Sequence, residues 1–284
     1  VNKCLVGGSE DKCDFDGNLT DLDLDDCGIT DDDLGVLISC INNFGGGNIK
    51  NLHLSGNQLT MLPAEIFNSL TSLRYLSLSR SPLTTLPSGI FNSLSSLTTL
   101  HLYSNALTTL PAGIFNSLTS LTELLLYENK LTTLDDDIFD SLEYLEMLYL
   151  DDNELRRLPA GIFNSLTPLT ELYLNDNALT TLPAGIFDSL TSLYTLVLTG
   201  NPDLECVPSA SMNLGSTPRV DAGVGDECGC DFGDSSDPCS QEALQCTPGA
   251  EGYTCVNKCL VGGSEDKCDF DGNLTDLDLD DCGI

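Results

Sequence analysis

Leucine recurs through the middle of this chain at one fixed interval, and that interval predicts the fold. Between Ile49 and Ser192 a unit of 24 residues occurs six times without a gap, beginning at Ile49, Leu73, Leu97, Leu121, Leu145 and Leu169, with a seventh, partial unit from Leu193. The copy at residues 97–120 reads LTTLHLYSNALTTLPAGIFNSLTS. Its opening LxxLxL alternates apolar and polar positions, the period of a half-buried β-strand. Asn stands at the ninth place as Asn57, Asn105, Asn129, Asn153, Asn177 and Asn201, where a buried amide can bond backbone groups of its own and the neighbouring turn. Phe stands at the nineteenth place as Phe67, Phe91, Phe115, Phe139, Phe163 and Phe187; stacked at one repeat spacing, these rings form a spine on the convex side. No single unit can bury its leucines alone, so the units must stack. The predicted fold class is a repeat solenoid, with a curved parallel β-sheet on one side and short 3-10 or irregular segments on the other.

Two units depart from the pattern. Ser81 replaces the ladder Asn in unit 2, which weakens the ladder there. In unit 4, Asp135, Asp136 and Asp137 replace the Pro-Ala-Gly found elsewhere and put three like charges on a tight turn.

The repeats strongly resemble the leucine-rich repeat family, and the LPxxxFxxL half is similar to the extracellular type found in variable lymphocyte receptors. The resemblance implies capped ends. Leu19–Leu24 (LTDLDL) begins a longer unit with Cys27 in the ladder position and a short helix around Leu34–Ile41, an expected N-terminal cap with a Cys27–Cys40 disulfide. After the last strand, Cys206 and Cys228 are the expected pair of a C-terminal cap. The chain therefore divides into an N-terminal cap and atypical first repeat (14–48), the repeats (49–208) and a C-terminal cap (209–229).

Residues 1–29 return unchanged as residues 256–284, an offset of 255 residues. Two readings stand open: one module plus the opening of the next in a tandem array, or an assembly that closed on itself and reads one module twice. The period resolves the odd count of 13 cysteines. Three of them, Cys259, Cys268 and Cys282, copy Cys4, Cys13 and Cys27, which leaves ten in one module, an even number suited to disulfides in an oxidising compartment. Cys230, Cys239, Cys246, Cys255, Cys259 and Cys268 are separated by eight, six, eight, three and eight residues, and CTPGAEGYTC places Gly252 and Tyr253 just before the fourth. That run resembles an EGF-like module, although its three-residue gap before Cys259 is longer than the family's usual one. The resemblance implies the pairs Cys230–Cys246, Cys239–Cys255 and Cys259–Cys268, with Cys4–Cys13 as the remnant of a preceding copy. It makes 230–268 a connector, 1–13 the end of the previous one, and 269–284 the start of the next module.

The formal net charge is −33. Such a field repels phosphate backbones and anionic lipid, which argues against nucleic-acid or membrane-surface partners and suits secreted proteins, divalent cations or cationic partners. No apolar run is long enough to span a bilayer. The expected location is extracellular or at the cell surface. Asn18-Leu19-Thr20, recurring as Asn273-Leu274-Thr275, is a sequon for N-glycosylation.

The resemblance to leucine-rich repeats implies that the variable strand places face the concave side. They carry His53, Tyr75, His101, Tyr103, Tyr127, Tyr149 and Tyr173, which include five of the eight tyrosines and both histidines. Rigid amphipathic rings on strands about 4.8 Å apart suit a protein or glycan ligand, or a neighbouring module; strand-filling aromatics are the plainer reading. Beside them Glu128, Asp151, Asp152 and Asp176 form an acidic group, readable as a calcium site or as a general acidic surface. No spacing pairs a nucleophile with a base, so an enzyme is not expected. Two functions follow: a structural module of an extracellular fibre or appendage built from near-identical copies, or a recognition and adhesion receptor using its concave face.

Overall fold

The computed structural model describes residues 20–43, 46–204, 219–221, 246–249 and 252–255. The chain enters through β1 (Asp21–Asp23), a 3-10 turn at Asp31–Asp33 and the helix α1 (Leu34–Asn43). Each 24-residue unit then contributes one three-residue strand: β2 (Asn51–His53), β3 (Tyr75–Ser77), β4 (Thr99–His101), β5 (Glu123–Leu125), β6 (Met147–Tyr149), β7 (Glu171–Tyr173) and β8 (Thr195–Val197). β9 (Arg219–Asp221) follows, and these nine strands form one parallel sheet in strict chain order.

The register follows the repeat. Leu52, Leu76, Leu100, Leu124, Leu148, Leu172 and Leu196 lie opposite one another across successive strands. A one-residue slip would turn all of them to solvent, so burial on one face holds the register. The cap strand pairs at a longer step, Leu22 with Leu52, because the loop through α1 is longer. Val220 lies opposite Leu196, 24 residues on, so the sheet continues into the segment expected to be only a cap. The leucine motif has gone by then but the step has not.

The leucines at places one, four, six, eleven, fourteen and twenty-two line a single continuous core, together with Ile and Phe at places eighteen and nineteen. Phe67, Phe91, Phe115, Phe139, Phe163 and Phe187 stack with centroids 6.2–6.4 Å apart and planes 10–11° from parallel. Strands pair about 4.8 Å apart on the opposite side. An outer layer with the longer step bends the stack, which makes the sheet its concave face.

The ladder also forms. Asn129 Nδ2 donates to Leu102 O at 2.9 Å in the preceding unit and to Leu126 O at 2.9 Å in its own, while its Oδ1 accepts the Leu107 N–H at 3.1 Å. Asn57 seats the first unit on the cap in the same way, through Leu24 O at 3.0 Å and the Ile29 N–H at 2.9 Å. At Ser81 the ladder is interrupted: its Oγ is buried with no hydrogen-bond partner, and the buried Ser79 Oγ shares that condition.

The three-aspartate turn of unit 4 needs no special backbone. Gly89, Gly113, Gly161 and Gly185 hold the equivalent place at φ between +64° and +81°, whereas Asp137 is not among the left-handed residues. It keeps the closing bond of the turn, Asp140 N–H to Asp137 O at 3.1 Å, just as Asn116 N–H bonds Gly113 O at 3.0 Å. All three carboxylates point into solvent.

Cys27 and Cys40 are both disulfide-bonded. Cys246–Gly249 (β10) and Gly252–Cys255 (β11) form an antiparallel hairpin that sets the Cys246 and Cys255 backbones opposite each other. The partners inferred for them, Cys230 and Cys239, lie outside the described residues, as do Cys4–Cys13, Cys206–Cys228, Cys259–Cys268, Asn18 and Asn273.

Candidate binding face

Along each strand, places four and six bury a leucine, and places three, five and seven stand on the concave surface. The seven residues expected there are all half-buried, and they form one unbroken path of rings. His53 lies 4.7 Å from Tyr75, Tyr75 lies 5.1 Å edge-on from His101, and His101 lies 5.8 Å from Tyr103. Tyr103 stacks on Tyr127 at 4.5 Å with planes only 3° apart. Tyr149 follows at 6.4 Å and Tyr173 at 4.3 Å. The path crosses six units because the strand register puts place three, five or seven of one unit beside place three, five or seven of the next.

Polar bonds hold Tyr75, His101 and Tyr149 in place. His101 Nε2 lies 2.9 Å from Glu123 Oε1 and its Nδ1 lies 3.1 Å from Tyr75 Oη. A carboxylate only accepts, so Nε2 carries the proton, and in the neutral ring Nδ1 accepts from the tyrosine. Tyr149 Oη donates to Glu171 Oε2 at 2.5 Å, and His53 Nε2 lies 3.7 Å from Asp21. Glu123, Glu171 and Asp21 were not singled out in the sequence. The legible signal was an acid at place three, one unit away from a ring at place five.

At the other edge of the path lie Glu128, Asp152 and Asp176 at place eight, and Asp151 and Asn175 at place seven. Place eight is left-handed in every unit: Asp26, Arg80, Ser104, Glu128, Asp152 and Asp176 all have φ between 50° and 53°, and Gly56 and Gly200 take φ near 70°. A side chain in that conformation costs about 1 kcal/mol relative to glycine, so each acid sits where the backbone favours none. Ser104 Oγ bonds Glu128. Asp151 Oδ1 and Asn175 Oδ1 are buried and accept nothing.

Burial, with repulsion from Asp152, Asp176 and Glu128, pushes the Asp151 carboxyl up to about 6. Burial and the Asp176 and Glu128 charges also raise Asp152. Tyr127 is pushed up to about 12 by burial, then by Tyr103, Glu128 and Asp151. Tyr149 and Tyr75 are raised chiefly by burial, the former also by Glu171.

Glu128, Asp151, Asp152 and Asp176 share a field, but no three His, Cys, Asp or Glu side chains among the described residues are disposed to hold a metal ion. Adjacent rungs space these carboxylates along a row, whereas calcium needs several oxygens around one point at 2.3–2.6 Å, roughly.

A leucine rich repeat family model matches residues 47–107, 95–155 and 144–202. These matches together span more than half of the chain, which belongs to the leucine rich repeat family. No curated protein matches the sequence. Repeats of this family serve as protein-interaction or structural modules, and the solenoid is typically a non-enzymatic scaffold. Among the described residues no helix is long and apolar enough to cross a membrane.

Proposed function

We propose that this chain is an extracellular recognition module that binds a partner protein on its concave face. The unbroken path of seven rings carries the reading. Its members are half-buried and packed ring against ring, with His101 and Tyr149 held by carboxylate bonds, which is how low-entropy binding anchors are built. Strand filling alone accounts poorly for this placement, because five tyrosines and both histidines gather on one face while Tyr144 and Tyr194 stand alone and exposed elsewhere. The experiment is a display of the full chain against extracellular proteins and glycans, repeated with Tyr127→Ala/Tyr149→Ala. The reading expects a bound partner that the variant loses, and a partner the variant retains overturns it.

A second reading rests on a separate observation, the identity of residues 1–29 and 256–284. Modules joined through a disulfide-rich, EGF-like connector would grow a filament, since one rigid step repeated without change generates a rod or helix. The cysteine spacing, the sequon at Asn18 and the acidic charge all support a secreted, glycosylated module of this kind. The mass of the native chain after denaturation, reduction and glycan removal tests it. Many modules per chain support the filament, and a mass near one module removes it.

A further inference from the structure

We propose that the concave face of units 4 to 6 takes a basic, extended polypeptide segment, its Arg or Lys side chains lying across Tyr127, Tyr149 and Tyr173 and set against the carboxylates of Glu128, Asp151, Asp152 and Asp176. This rests on the binding-face reading and adds the chemistry of the partner.

Charge on this part of the face is one-sided. Places three to eight carry two acids in each of the three units, namely Glu123 and Glu128, Asp151 and Asp152, and Glu171 and Asp176, and no Lys or Arg. Among the described residues, one ion pair joins a Lys or Arg to an acid, Arg80 with Asp26 at 3.6 Å, and it lies in the opposite half of the solenoid. The acids therefore face the rings without a countercharge from the strands that carry them.

Two of the polar groups also lack a donor. Asp151 Oδ1 and Asn175 Oδ1 occupy place seven of consecutive units, continuing the file of Tyr103 and Tyr127. Both oxygens accept no hydrogen bond and are closed to solvent, so a cation on this face offsets the Asp151 charge without bonding these two atoms. An ammonium or guanidinium supplies several N–H donors and a positive charge at once, and it is attracted to the faces of the adjoining tyrosines. A neutral sugar supplies donors but leaves Asp151 in the field of Asp152, Asp176 and Glu128. A metal ion would need a compact oxygen shell, which no group of described residues makes.

The partner is extended because the site is a strip. Rings and acids recur at one strand spacing, about 4.8 Å per unit, and a strand-like peptide repeats its same-side residues every 6.6 Å or so. Three units therefore match two or three basic side chains. The rest of the face differs: units 1 and 2 offer Ser55, Ser77 and Ser79 at the same places, all buried, with Ser55 and Ser77 bonded to each other. The cap strand carries Asp21, Asp23, Asp25 and Asp26 at these places but no ring, so acids and tyrosines coincide only on units 4 to 6 among the described strands.

The test uses the full chain and a fluorescent nona-arginine peptide, with anisotropy read at about 0.15 M and about 0.5 M salt. Asp151→Asn/Asp176→Asn is compared with Asp135→Asn/Asp136→Asn/Asp137→Asn, which removes more charge from an exposed turn outside the ring path. Binding is expected, weakened about tenfold or more in the first variant and less than about threefold in the second, with Tyr149→Ser also weakening it. Equal losses in the two charge variants would reduce the binding to a general field effect and overturn the proposal. So would absence of binding at the lower salt. A neutral glycan bound in a Tyr127- and Tyr149-dependent way, with no peptide binding, would overturn the basic partner while leaving the recognition reading in place.

Discussion

Ser81→Asn should stabilise the protein, because it restores the one missing rung of the ladder. At the equivalent place Asn105 donates to Leu78 O and Leu102 O, each at 3.0 Å, and accepts the Leu83 N–H at 3.3 Å. Shifted back by one unit, the same bonds would run to Leu54 O, to Leu78 O and from the Leu59 N–H. Ser81 Oγ, 4% exposed as a residue, makes none of them. Its neighbour Pro82 removes a further bond, since Ala106, Lys130, Glu154 and Ala178 at that place each donate to a backbone carbonyl of the previous unit and proline has no N–H. Units 1 and 2 are thus joined by their leucines and strand pairing with little of the polar ladder.

Three restored hydrogen bonds contribute about 1 kcal/mol each, and ordering the amide side chain costs about 1 kcal/mol, leaving a gain of about 2 kcal/mol. For a domain of this size that raises Tm by roughly 4–8 °C. The assay is thermal and urea unfolding of the wild type, Ser81→Asn and Ser81→Ala. Alanine removes the unpartnered hydroxyl without building the ladder, so it separates the two effects. Amide exchange at Leu59 gives the local readout and should slow in the asparagine variant alone. If Ser81→Asn gains no more than Ser81→Ala, or Leu59 exchanges as before, the ladder argument is wrong at this site.

Other perturbations test the core, the turns and the acidic row. Phe115→Ala opens the middle of the ring spine and should cost about 3–5 kcal/mol in urea unfolding, the usual range for a buried phenylalanine. Gly113→Ala forces a Cβ to within 2.7 Å of Asn116 Nδ2 at φ +64° and should cost about 1–2 kcal/mol, whereas Asp137→Ala at the same place in unit 4 should be close to neutral. Asp151 holds its proton up to about pH 6 in the folded state against 3.8 in the ordinary range. The folded form therefore binds more protons between those values, and stability falls as pH rises through that window. After discounting for its solvent-facing half, Asp151→Asn should raise stability at pH 7.5 or so by about 1–2 kcal/mol and have little effect near pH 4, read as the difference between the two unfolding curves.

The fold was legible because its cause is periodic. One LxxLxL strand, one Asn and one Phe per unit predict the parallel register, the ladder and the spine, and each follows from a residue that must be buried in every copy. β9 was not legible because its only signal is Val220, 24 residues after Leu196, in a stretch where the leucines have stopped. Of the face, the seven rings could be read from their places, but not their order of contact, which depends on how Tyr103 and Tyr127 stack while His101 turns toward Tyr75 and Glu123. The four acids were legible as a group but not in their spacing, since a list of carboxylates does not show that rungs spread them along a row.

Departures from the period carry the functional information. Every unit needs its leucines, so they distinguish no unit from another. Place eight needs only a left-handed residue, and glycine fills it in units 1 and 7 with no steric cost. Units 4, 5 and 6 put Glu128, Asp152 and Asp176 there, on adjacent rungs, beside an Asp151 whose carboxyl is raised by burial and then by the same charges. Backbone conformation and like-charge spacing act against the exposed acids at place eight, and burial acts against Asp151 beside them, in the isolated chain. Interactions that oppose folding of the free molecule and would be relieved by a cation are what a surface shaped for a basic partner contains. Glycine at place eight of those three units would then make the solenoid more stable and its concave face blind to that partner, and a variant that gained stability yet still bound the basic peptide would separate the acids from recognition.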